Sequence, residues 1–128
     1  MGDPTSKLID SSGWLEFFAA GPRADEYEKH LRDLDRVLTP TLVVYEVYRW
    51  LKRQRGEAEA LLAVAQLDKS RVVPLTTTIA LTAADLGLEH GLATADAVVY
   101  ATGVVHEVPV VTSDRDFAGL PGVVYIEK

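Results

Sequence analysis

The 128-residue chain has no cysteine, which removes three chemistries at once: a disulfide framework, a thiolate nucleophile and a zinc–thiolate site. No apolar run approaches the roughly 20 residues needed to cross a bilayer, so a membrane-spanning helix is excluded. The opening Met1-Gly2-Asp3-Pro4-Thr5-Ser6-Lys7 lacks the apolar core of a signal peptide, and the cytoplasm is the expected location. Positive charge is in deficit: 13 Lys and Arg against 19 Asp and Glu leave a formal net charge of −6. That balance argues against gripping duplex DNA through a broad positive field, so any nucleic-acid contact must be local or mediated by metal. Histidine is scarce as well. His30, His90 and His106 fall in a polar helix, a helix end and a pre-strand loop, and give a histidine acid–base pair no support.

The remaining composition, 48% hydrophobic and 25% charged, fits a single domain able to bury its own core. Helical periods alternate with short β-rich runs, and no linker or repeat divides residues 1–128. Leu8-Ile9 begins a first strand, Ser11 or Ser12 is placed to cap a helix over Trp14 to Ala20, and a second helix covers Ala24 to Asp33. Val37-Leu38 is the next strand. Pro40 then suits the first turn of a helix from Thr41 to Arg55, which Gly56 separates from a partner helix over Glu57 to Leu67. Val72-Val73 reads as a strand, Thr76 to Glu89 as a helix, and Thr94 as the cap of a helix ending near Thr102. Strands over Val108 to Thr112 and Val123 to Ile126 complete an α/β domain of three layers, α/β/α, with a central, mainly parallel sheet.

Within this pattern five carboxylates stand in apolar settings. Asp10 closes Leu8-Ile9, and Asp114 and Asp116 follow Val110-Val111-Thr112. Asp96 lies in the first turn of its helix, and Glu46 has Leu42, Val43 and Trp50 at i−4, i−3 and i+4, which predicts a place on the core-facing stripe. Each has a plainer reading alone: a turn or cap for Asp10, Asp114 and Asp116, a helix-dipole partner for Asp96, and a solvated pair with Arg49 for Glu46. Together they point to a site outside the carboxyl ends of the strands. Two unit charges about 4 Å apart repel by roughly 4 kcal/mol at an effective dielectric of 20, so converging carboxylates call for a hard divalent cation, Mg²⁺ or Mn²⁺.

The segments L-I-D-S-S-G-W-L-E-F-F, T-L-V-V-Y-E-V, L-A-T-A-D-A-V-V-Y-A-T and V-V-T-S-D-R-D-F resemble the PIN domain, and within it the VapC-like toxin ribonucleases of type II toxin–antitoxin systems. The resemblance spans nearly the whole chain. One mild departure is Thr94, where a proline is common. It implies an acidic site of Asp10, Glu46, Asp96 and Asp114, with Asp116 auxiliary and Thr112 a hydrogen-bonding support. Asp10, Asp96 and Asp114 would be metal ligands, direct or through water, and Glu46 would orient or deprotonate the attacking water or help to hold a second ion. RNA is the implied substrate, products carry 5′-phosphate and 3′-hydroxyl ends, and a small antitoxin holds the enzyme in check.

Arg49, Lys52, Arg53 and Arg55 follow Glu46 on one helix and are candidates to draw RNA phosphates, against the plainer reading of cations stabilised at a helix C-terminus. Trp14, Phe17 and Phe18 are read as core or dimer contacts. The apolar content of the first helix and of the hairpin from Thr41 to Leu67 exceeds what one small sheet covers, and a homodimer is expected. Two other classes compete: a catalytically inert PIN-like module that binds RNA or protein, and a receiver-type phosphoacceptor domain. The receiver calls for an N-terminal acidic pair and a late lysine, whereas Val110-Val111-Thr112 leads into Ser113-Asp114.

Overall fold

The computed structural model describes residues 5–128, so the part of the N-terminal reading that falls on residues 1–4 lies outside the described residues. Five strands, β1 (Lys7–Ile9), β2 (Val37–Pro40), β3 (Arg71–Val73), β4 (Val110–Thr112) and β5 (Val123–Tyr125), form one sheet in the order β3-β2-β1-β4-β5. Every neighbouring pair is parallel. The connections run through α1 (Ser11–Phe18), α2 (Ala24–Leu31), α3 (Thr41–Arg55), α4 (Glu57–Leu67), α5 (Thr77–His90) and α6 (Thr94–Val105). Parallel strands need right-handed crossovers, so the steps from β1 through β3 carry α1 to α4 over one face and the return to β4 carries α5 and α6 over the other. The α/β/α architecture read from the sequence is the architecture found. Among the described residues no helix is long and apolar enough to cross a membrane.

The order of strands reverses beside β1, because β2 lies on one flank and β4 on the other. That reversal opens a crevice between the loops after β1 and β4. Leu8, Ile9, Val37, Leu38, Val110 and Val111 are buried on both faces, as a parallel sheet covered by helices requires. On α3 the buried stripe is Val43, Val47 and Leu51, packed on the sheet and on Ala60, Ala63 and Leu67 of α4.

Several boundaries differ from expectation for identifiable reasons. Asp10, rather than a serine, is the N-cap of α1, and the helix ends at Phe18, two residues before Ala20. Ala20 takes a positive φ of 52° and Gly21 donates back to the Glu16 carbonyl, which closes the helix early. The helix containing Asp96 does not stop at Thr102 but runs through Gly103 to Val105. A Cβ at Gly103 would lie 2.7 Å from Val110 Cγ2, so glycine there permits close approach of helix to strand. β4 correspondingly starts at Val110, since Glu107 adopts a φ of 57° and Pro109 has no amide to give the ladder. Ala93 is the N-cap of α6, and Thr94 is its first helical residue with no capping bond.

Candidate active site

Asp10 lies where β1 turns into α1. Its amide donates to the Val111 carbonyl at 3.0 Å, which ties it to β4, and its carbonyl accepts from Gly13 at 2.9 Å to open the helix. The side chain is therefore fixed by backbone on both sides. Asp10 Oδ2 accepts from Thr112 Oγ1 at 2.9 Å and Ser12 Oγ at 3.4 Å. Thr112 Oγ1 also accepts from the Asp114 amide at 3.0 Å, while Ser12 Oγ accepts from the Ser113 amide at 3.1 Å. These two hydroxyls lock the β1 and β4 loops into one unit. Thr112, read from the sequence as a hydrogen-bonding support, and Ser12, read as a cap candidate, both bond to the Asp10 carboxylate.

The floor beneath is equally fixed. Tyr27 is fully buried, and its hydroxyl lies 2.6 Å from Ser113 Oγ. Its ring occupies the space over Gly13, where an added Cβ would come within 2.3 Å of Tyr27 Cε1. Glycine at that position is what lets α2 press under the β4 loop.

Asp10, Glu46, Asp96 and Asp114 line a single pocket of about 370 Å³, together with Ser11, Ser12, Leu15, Glu16, Ala19, Trp50 and Lys128. The four acids brought together from the sequence meet in space. Carboxylate oxygens of Asp96, Asp114 and Asp116 lie within 4.8 Å of one another, a spacing at which one cation can be shared. The compact trio contains Asp116 and not Asp10, which lines the same pocket with its Oδ2 bonded to Thr112 and Ser12. The Asp114 carboxylate also accepts from the Asp116 amide at 2.9 Å, which turns the 3-10 segment Arg115–Phe117 so that the two acids share one loop.

Burial drives the electrostatics. The buried Asp10 carboxyl is raised above its ordinary range first by desolvation and then by the Asp114 charge, against the lowering effect of the Thr112, Ser12 and Ser11 hydrogen bonds. Glu46, half-buried, is pushed up to about 7 by desolvation and by the charges of Asp10, Asp96 and Asp114. Asp96 rises to about 6 through desolvation and the charges of Asp114, Asp10 and Asp116. All three carboxyls are raised first by burial and then by the charge of neighbouring carboxylates, and no cation among the described residues offsets either. The donor set is all oxygen, so it fits Mg²⁺ or Mn²⁺ and not a soft metal.

Glu46 does not share the core stripe. Val43, Val47 and Leu51 face the core, whereas Glu46 and Trp50 lie on the adjoining flank of α3, turned to the pocket. Among the basic candidates, Lys52 pairs with Glu57 at 3.6 Å and Arg55 with Glu59 at 3.5 Å across the α3–α4 turn. Neither these nor Arg49 or Arg53 lines the pocket. The cation that does is Lys128, whose Nζ is 3.5 Å from Oε2 of the buried Glu16. Neither Lys128 nor Trp50 carries a local sequence signal of function, one being an isolated lysine and the other an aromatic among helix apolars.

A family model for the PIN domain matches residues 7–123, and the chain belongs to that family. Solved structures narrow the likeness. A toxin–antitoxin complex from Klebsiella pneumoniae superposes with a TM-score of 0.82 at 25% identity, covering 96% of this chain and 100% of that one. The Mycobacterium tuberculosis VapC20 toxin, described as cleaving the sarcin–ricin loop, gives 0.78 at 21% identity with the same coverage. DNA-bound VapBC from Salmonella typhimurium gives 0.74 at 14%, over 95% of this chain and 97% of that one. No curated protein sequence matches the chain significantly.

Proposed function

We propose that the chain, as a single PIN-like domain, is a divalent-metal-dependent endoribonuclease and the toxin of a type II toxin–antitoxin pair. The observation that carries this reading is the convergence of Asp10, Glu46, Asp96 and Asp114 on one pocket at the reversal point of a parallel sheet, in a member of the PIN family. The likeness to a toxin–antitoxin complex over 96% of the chain supports the biological role.

Asp96, Asp114 and Asp116 would hold the ion, with Asp10 reaching it directly or through water. When bound, Mg²⁺ or Mn²⁺ supplies charge neutralisation at the phosphate and makes water more acidic. Glu46, at the pocket wall, is placed to take the proton from the attacking water. Water adds its oxygen to phosphorus as the P–O3′ bond breaks, which leaves a 5′-phosphate, and the departing 3′-oxygen takes up a proton from solvent. Thr112 and Ser12 keep the Asp10 carboxylate from rotating as charge builds up.

An unrestrained nuclease harms its own cell, so an antitoxin partner and a homodimeric state complete the proposal. A basic side chain of the partner placed among the acids would replace the cation's charge through charge-assisted hydrogen bonds. Transcriptome-wide mapping of new 5′-phosphate ends soon after induction, with Asp96→Asn as control, tests the reading. Discrete new ends are expected only with the wild-type chain, and unchanged RNA and growth despite soluble expression would refute the toxin assignment.

A further inference from the structure

Beyond the acids, the pocket has a second wall that the cleavage chemistry does not use. Trp50 sits on α3 four residues after Glu46, about one helical turn farther from the acids, and its indole lines the same pocket. It is 39% exposed, whereas Trp14 is 1% exposed. Among the described residues the Trp50 ring meets no other aromatic ring and takes no hydrogen bond. The pocket wall from α1 and its C-cap is mixed, with Leu15 and Ala19 supplying apolar surface beside Ser11, Ser12 and Glu16.

The other pole is Lys128. Its ammonium is half-exposed yet anchored on the buried Glu16, which is itself held by the Arg23 amide at 3.2 Å. Arg23 Nε donates to the Glu127 carbonyl at 2.9 Å and fixes the backbone next to Lys128. Among the described lining residues Lys128 is the one cation, in a pocket that also holds five carboxylates. An anionic strand entering beside those acids meets its positive counterpart in Lys128, since none of Arg49, Lys52, Arg53 and Arg55 of α3 lines the pocket.

We propose that Trp50 and Lys128 form a nucleotide subsite beside the acidic cluster, in which the indole stacks on an unpaired base next to the cleaved linkage and the ammonium holds a flanking phosphate. The proposal rests on the nuclease reading of the same pocket and sharpens it: the substrate is single-stranded or looped RNA, since bases within a duplex have both faces covered. Lys128 contributes a point charge and Trp50 a sequence-tolerant surface, so the subsite selects unpaired RNA without reading a particular base.

The chain's two tryptophans allow a test without turnover, because Trp14 is buried and Trp50 is the one able to reach added RNA. The Asp96→Asn protein is titrated in Mg²⁺ with a short random-sequence single-stranded oligoribonucleotide and with an RNA duplex. Single strands should quench the exposed indole. Adding Trp50→Ala should weaken their binding by about 5- to 100-fold, and Trp50→Phe should keep most of it. Lys128→Met should reduce the slope of log affinity against log salt by about 0.7. In the cleaving protein, Trp50→Ala should raise KM more than it lowers kcat. Unchanged single-strand affinity in Trp50→Ala, with wild-type cleavage intact, overturns the subsite and leaves the nuclease standing. Unchanged RNA affinity with lost antitoxin inhibition assigns the wall to a protein partner instead, and absence of any RNA binding or cleavage by the wild type overturns both.

Discussion

Removing the cation should make the folded protein sensitive to pH in a direction set by Glu46. Its carboxyl moves from an ordinary 4.5 to about 7 on folding, chiefly through desolvation and then through Asp10. At about 1.36 kcal/mol per pH unit that displacement is worth roughly 3 kcal/mol for a fully buried group. Glu46 is only about half-buried, so solvent screening reduces its share to about 1–2 kcal/mol. Since the folded pKa is raised, the folded state holds the proton more tightly. The stabilisation is complete below about 4.5 and is lost as pH rises through about 7. Asp96, moved from 3.8 to about 6, acts in the same direction over a slightly lower window. For a chain of this size 1 kcal/mol corresponds to about 3–5 °C in Tm, so in EDTA the Glu46 share alone should lower Tm by roughly 3–10 °C between pH 5 and 8. Glu46→Gln should flatten the part of the slope nearest neutrality. Mg²⁺ or Mn²⁺ at about 100 times Kd should restore about 2.7 kcal/mol at pH 8. A Tm that is flat with pH in chelator, or a slope unaffected by Glu46→Gln, would refute the electrostatic reasoning.

Other expectations concern packing and assembly. Gly13→Ala should destabilise by about 1–3 kcal/mol in urea titration, because its Cβ would overlap the Tyr27 ring; wild-type stability would show that α2 yields freely there. Light scattering at micromolar concentration should give a dimer mass, consistent with the exposed Leu61 and Leu62 on α4 and Leu81 and Leu88 on α5; a monomer would leave that apolar surface to the antitoxin. Antitoxin and metal should oppose each other, so excess Mn²⁺ should weaken the complex measured by calorimetry, and a complex indifferent to Mn²⁺ would show that the inhibitor leaves the acids alone.

The parts of this molecule legible in the sequence are those fixed by short-range pattern. Asp10 and Asp114 each end an apolar run, and a run of that kind is a covered parallel strand whose end faces the crevice. Gly56 separates α3 from α4 as read, because no continuing helix accommodates its φ of 95°. What was not legible depended on contacts between distant segments. Leu42, Val43 and Trp50 at helical spacing predict the core stripe for Glu46, but α3 turns Val43, Val47 and Leu51 inward and leaves Glu46 and Trp50 on the pocket flank. The spacing gives a helix's period and not its rotation. The helix read as ending near Thr102 runs on to Val105, with Gly103 a point of contact with Val110 inside α6. Asp116 joins Asp96 and Asp114 only through the 3-10 turn after β4, and the pairing of Lys128 with Glu16 spans almost the whole chain.

Metal-dependent RNA hydrolysis is tested most directly with purified protein stripped by EDTA and incubated with total RNA, with and without restored cation. Cleavage should be absent in chelator, return with Mg²⁺ or Mn²⁺, return poorly with Ca²⁺, leave 5′-phosphate and 3′-hydroxyl ends, and fail in Asp96→Asn. Undiminished cleavage in excess EDTA, or full activity of Asp96→Asn, would contradict a site built from Asp10, Glu46, Asp96, Asp114 and Asp116.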